Sequence, residues 1–95
     1  MHQLLVLGNN KENVAIAFKE NIREGEKYNI QMLDAKGNVK WNLKSGMSFI
    51  DHSNNLLSSK NELLITANNA FYHIGSDGKI KKKTHLEEII IDPKN

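Results

Sequence analysis

Four histidines, His2, His52, His73 and His85, are the residues best suited to ligate a transition metal. None stands at the short spacing of a paired ligand motif, and the chain has no cysteine to join them. The ligand pattern of a zinc site is therefore missing, and the histidines read as surface or strand-end residues. Asp34 and Asp77 fall in glycine turns. The calcium-loop pattern of alternating Asp and Asn closing on Glu is absent, so they read as turn formers. Glu87 and Glu88 are an adjacent acid pair, but neighbours on a strand point to opposite faces. Ser45, Ser48, Ser58 and Ser59 lack a nucleophile elbow, and Gly8 and Gly25 do not make a phosphate-binding loop. The expectation is a protein that is not an enzyme, with no cofactor and no catalytic or metal site.

Lys79, Lys81, Lys82 and Lys83 form the most basic stretch, preceded by Phe71, Tyr72 and His73. Basic residues near aromatics are the footprint of nucleic-acid binding. Here Glu87 and Glu88 follow closely, and the net charge is only +2. The four lysines are thus a candidate anionic-ligand patch, set against a plainer purpose: lysines on an edge strand block edge-to-edge pairing. Nucleic acid is not the expected partner. Trp41 alternates with Lys40 and Asn42, which favours packing over a ligand platform. The first residues, Met-His-Gln-Leu-Leu-Val-Leu-Gly, carry no basic lead and too short an apolar run for a signal peptide or a span. No membrane association and a cytoplasmic location are therefore expected.

The elements that must position these residues are short strands. At 95 residues the chain suits a single domain, 1–95, with a modest core. Residues 3–7 are a continuous apolar run, expected to be a strand covered on both faces. Val14, Ile16 and Phe18 alternate, which predicts a strand. Val14, Phe18 and Ile22 are also four apart, with Asn10 and Gly25 as possible caps, so a helix over 11–24 is the alternative. The mixed charges of 20–27 suggest an exposed loop or hairpin tip. Residues 28–33 alternate as a strand, and Gly37 turns the chain into Val39, Trp41 and Leu43, read as one apolar face. Further strands are expected at 47–50, 62–66, 71–74 and 79–84, with a loop at 51–60. A final strand at 87–92 carries Ile89, Ile90 and Ile91.

The chain also echoes itself. Gly37, Lys40, Ile50 and Asp51 lie over Gly78, Lys81, Ile91 and Asp92 without a gap, and Val39 lies over Ile80. Upstream, Lys11, Val14 and Ile16 lie over Lys60, Leu63 and Ile65. The first copy is the longer, and its surplus falls in 20–27. The two copies span approximately 2–46 and 47–86. A period of about 40 residues with four short strands is the signature of a propeller blade. Asp34, Gly37, Val39 and Trp41 form the pattern Asp-x-x-Gly-x-Val-x-Trp, which resembles the repeat of pyrroloquinoline-quinone-type and WD-like β-propellers. Asp77, Gly78 and Ile80 match it in part, and the second copy lacks the Trp. The resemblance implies a gly-turn leading into an outer strand. It carries over no cofactor, because no residue here matches a cofactor ligand.

The expected fold is all-β, with antiparallel sheets, two propeller-blade-like four-stranded units and a final strand. A small β-sandwich, or an α+β fold with the 11–24 helix, is the alternative. The expected function is a non-enzymatic binding or assembly module working through protein–protein contacts or self-association as a homo-oligomer. Leu5, Leu7, Ile89, Ile90 and Ile91 are the candidate interface. A lectin-like propeller that binds sugar or another small ligand, assembled from several chains, is the other reading. Few aromatics are available to line such a site.

Overall fold

Residues four apart share a face in a helix and also in a strand, so Val14, Phe18 and Ile22 fit either. The computed structural model, which describes residues 4–22, 25–51 and 53–85, has a strand there, and no helix occurs among the described residues. Asn10 caps a turn instead: its Oδ1 accepts the backbone N–H of Glu12 and of Asn13 at 2.9 and 2.8 Å. The fold is all-β. Strands β1 (Leu4–Asn9), β2 (Asn13–Ile22), β3 (Gly25–Asp34) and β4 (Val39–Met47) form one antiparallel meander, here sheet 1. Strands β5 (Leu56–Leu57), β6 (Leu63–Ala67), β7 (Ala70–Ile74) and β8 (Ile80–His85) form a second, sheet 2.

Three expected boundaries move. The β2–β3 ladder runs through Glu20↔Lys27 to Ile22↔Gly25, so residues 20–27 are mostly paired hairpin arms. Residues 47–50 are not a strand of their own: Met47 ends β4, and Ile50 makes a single bridge to Ala67. The expected loop at 51–60 contains β5, whose two leucines pair with Leu63 and Leu64. The final strand expected at 87–92 lies outside the described residues.

The core is one cluster drawn from both sheets. Sheet 1 contributes Leu7, Ala15, Ala17, Ile30 and Met32, and sheet 2 contributes Leu57, Leu63, Ile65, Tyr72 and Ile74 among others. Burying each large aliphatic is worth about 1.5–3 kcal/mol. The alanines of β2 let the sheets approach closely. A Cβ on Gly8 would lie 2.7 Å from the backbone nitrogen of Leu57, so β1 and β5 run in contact.

Val39 does not share a face with Trp41 and Leu43. Leu33 pairs with Val39 but Met32 pairs with Trp41, so Lys40 is an extra residue in the ladder. Such a bulge reverses the side to which the following residues point. Trp41 and Leu43 therefore pack on the core, and Val39 is 53% exposed on the other side. The same irregularity recurs in sheet 2, where Ile74 pairs with Ile80 and His73 with Lys82, leaving Lys81 extra.

Hydrogen bonding fixes which residues of the two sheets are equivalent. Asp34 N–H donates to Asn38 O and Asp34 O accepts Gly37 N–H, each at 2.9 Å. Gly75 N–H donates to Lys79 O at 2.8 Å, and Gly75 O accepts Gly78 N–H at 2.9 Å. Asp34 thus lies over Gly75. At the first hairpins Asn10 N–H donates to Asn13 O and Ser58 N–H to Glu62 O, both at 2.9 Å, so Asn13 lies over Glu62. The bulged lysines agree: Lys40 Nζ reaches Asn13 Oδ1 at 3.3 Å, and Lys81 Nζ reaches Glu62 Oε2 at 3.2 Å.

In this register the buried Leu63, Ile65, Tyr72 and Ile74 lie over Val14, Ile16, Gln31 and Leu33, none of which is fully buried. The buried Ala15, Ala17, Ile30 and Met32 lie over Leu64, Thr66, Phe71 and His73, again none fully buried. For a given chain direction, hydrogen-bonding phase sets the face of each side chain. The sheets therefore pack the front of sheet 1 on the back of sheet 2, taking the Asn13/Glu62 face of each sheet as its front.

Candidate functional site

Packing front on back leaves the back of sheet 1 and the front of sheet 2 without cover from the other sheet. On the back of sheet 1, Leu4 pairs with Phe18, Val6 with Ile16, and Val14 with Leu33, which pairs in turn with Val39. Residues directly opposite each other share a face. This places Leu4, Val6, Val14, Ile16, Phe18 and Leu33 on one apolar surface, extended by Val39. Leu4 is 62% exposed and Val6 56%. On the front of sheet 2, Leu56, 55% exposed, pairs with Leu64, which pairs with His73. Phe71 lies between Thr66 and Thr84 on the same face.

One ion cluster marks that second face. Glu62 Oε1 lies 3.1 Å from His73 Nε2, and its Oε2 accepts Lys81 Nζ at 3.2 Å. The Lys81 hydrogen bond, followed by that of His73, holds the Glu62 carboxyl below its ordinary range. Both oxygens are thus engaged. At the sheet junction, Asn61 Oδ1 accepts Asn10 Nδ2 and Asn13 Nδ2, each at 2.7 Å. Asn10 Nδ2 also donates to Ser58 O at 2.8 Å. Asn13, only 4% exposed, is satisfied by this amide cluster.

The turn aspartates act as expected of turn formers. Asp34 Oδ1 accepts the backbone N–H of Lys36 and Asn38, both at 2.9 Å. The Asn38 backbone bond is the largest cause lowering its pKa. In the second copy, where Gly75 replaces that aspartate, Asp77 Oδ1 takes the Lys79 N–H at 3.1 Å. Ser45 Oγ donates to Tyr28 O at 2.8 Å and accepts Met47 N–H at 3.0 Å, a structural bond. Among the described residues, no three His, Asp or Glu side chains gather as a metal site. An open depression of about 510 Å³ between the β1–β2 and β3–β4 turns includes Lys11, Glu12, Asp34, Lys36 and Lys40 in its lining.

The four lysines of the candidate anionic patch are split by the strand. Lys79 belongs to the β7–β8 turn, and Lys81 is tied to Glu62. Lys82 pairs with His73 on the front, while Lys83 lies over the Tyr72 ring, 5.5 Å from its centroid, on the back. Leu7 is buried in the internal core and Leu5 packs against it. The exposed apolar residues of β1 are their neighbours Leu4 and Val6, which the reading of β1 as uniformly covered passed over. Ile89, Ile90 and Ile91 lie outside the described residues. No helix of the described residues is long and apolar enough to cross a membrane. No family model, no curated protein and no solved structure matches this chain.

Proposed function

We propose that this chain is a non-enzymatic assembly module, and that its contact surface is the apolar back of sheet 1. The observation that carries the reading is the exposure of Leu4 and Val6, each above half, beside Ile16 and Phe18. A contiguous apolar face marks a protein contact more often than a lone exposed side chain does. The four strands per unit and the turn that resembles a propeller repeat support the same reading, because propeller blades work by stacking on neighbours. Among the described residues, sheet 1 has such a neighbour on its front only.

Sedimentation velocity over a wide concentration range tests the reading. The wild-type chain should associate as concentration rises, and Val6→Glu should weaken that association while the melting temperature is kept. A wild-type chain that stays monomeric throughout would overturn it.

A further inference from the structure

Resting on the assembly reading, we infer that the occupant of the back of sheet 1 is a second copy of this chain, seated through the front of its sheet 2. The molecule already contains one contact of this kind. The front of sheet 1 packs on the back of sheet 2, and the two sheets are equivalent by turn geometry and by ladder register. The back of sheet 1, which sheet 2 does not cover, is therefore equivalent to a surface that is buried, and so is the front of sheet 2, which sheet 1 does not cover. Repeating the internal contact between molecules would cover both.

On the back of sheet 1 residue chemistry agrees with this continuation, Gln31 in the place of Tyr72 being the exception. The equivalents of Leu63, Ile65 and Ile74, which are fully buried, are Val14, Ile16 and Leu33. All three are branched aliphatics of the kind that the internal contact buries. On the opposing face, the equivalents of Ala15 and Ile30 are Leu64 and Phe71. Inside the molecule β1 and β5 run in contact at Gly8 and Leu57. In the repeated contact, β5 of one copy would lie on β1 of the next, bringing Leu56 against Asn9, with Val6 at the adjacent position of the same face. The sheet 2 front is more polar than its counterpart: Lys82 and Thr84 of the edge strand β8 stand where Trp41 and Leu43 pack in the internal contact, Thr66 stands where Ala17 does, and Glu62, His73 and Lys81 satisfy one another in the ion cluster. The contact is heterologous, so it closes into a ring or continues as an open stack according to its rotation.

A heterologous contact predicts behaviour that a symmetric one does not. Val6→Glu spoils only the back of sheet 1, and Leu56→Glu spoils only the front of sheet 2. By light scattering, each variant alone should lose association by at least about tenfold, as expected for a buried unpaired charge. Mixed together, they retain one intact back and one intact front, and should form a one-to-one dimer that grows no further. Because the chain has no cysteine, Val6→Cys and Leu56→Cys give a second test that needs no charged substitution. A short bismaleimide should link the two variants to each other and should not link Val6→Cys to itself. Leu56→Glu associating like wild type, or linked homodimers of Val6→Cys, would overturn the inference while leaving the assembly reading standing. A monomeric wild type would overturn both.

Discussion

Gly78 and Gly37 hold the same place in the two copies, yet one is covered and the other is not. Both have positive φ, +84° and +90°. An added Cβ at Gly37 meets nothing within 4 Å, whereas at Gly78 it would lie 2.7 Å from Trp41 Cδ2 and 2.9 Å from Cε3 and Cγ. Gly37→Ala therefore isolates backbone strain, at about 1–2 kcal/mol for a left-handed residue with a Cβ. Gly78→Ala adds a clash with a ring that is itself packed on the core, and overpacking of that kind costs about 1–3 kcal/mol. The entropy that glycine adds to the unfolded chain is lost in both variants and cancels in the comparison. For a domain of this size each kcal/mol shifts the melting temperature by about 4–8 °C. Thermal melts should thus place Gly78→Ala below Gly37→Ala by roughly 4–24 °C. Combining Gly78→Ala with Trp41→Ala should recover part of the loss, with a coupling of about 0.5–3 kcal/mol. Equal shifts for the two glycine variants, or strict additivity with Trp41→Ala, would refute the seating of Trp41 beneath the second turn and with it the front-to-back packing.

Gly8→Ala should destabilise by about 1–3 kcal/mol in urea titration, because the new Cβ meets the Leu57 backbone, which cannot swing aside. Asn61→Gly keeps the positive φ of 64° free of strain but removes the acceptor shared by Asn10 and Asn13. A loss of about 1–3 kcal/mol is expected from the buried Asn13 amide left unsatisfied, and an unchanged melt would show that the amide cluster does not couple the sheets. Glu62 has a lowered pKa in the folded protein, first from the Lys81 hydrogen bond and then from that of His73. Its stabilisation is therefore present above the unfolded value and is lost as the pH falls through the folded one. Glu62→Gln should melt below wild type at neutral pH and converge with it below about pH 4.3, and a constant gap across that window would remove the ion cluster from the account.

Local pattern determined much of this molecule. Alternation along 28–33, the glycine turns at Gly37 and Gly78 and the β-branched residues of β2 and β6 point to antiparallel strands, and the self-match of the chain divides them into two four-stranded units. These features are legible because a strand's period and a turn's φ are set by neighbours a few residues away. Which side of each strand meets the core was not legible. Val14, Ile16 and Phe18 look like the core face of β2 by bulk, yet Ala15 and Ala17 are the buried ones. Closeness of a second sheet rewards small residues there, and that sheet is distant in sequence. Likewise Val39 looks continuous with Trp41 until the bulge at Lys40 turns it outward. β5 is two leucines in a polar stretch, too short to signal a strand until β6 pairs with it. Period-2 alternation has two faces and no label on either. Only the front-to-back stacking of the sheets chose between them, and that choice left Leu4 and Val6 exposed while it buried Leu7.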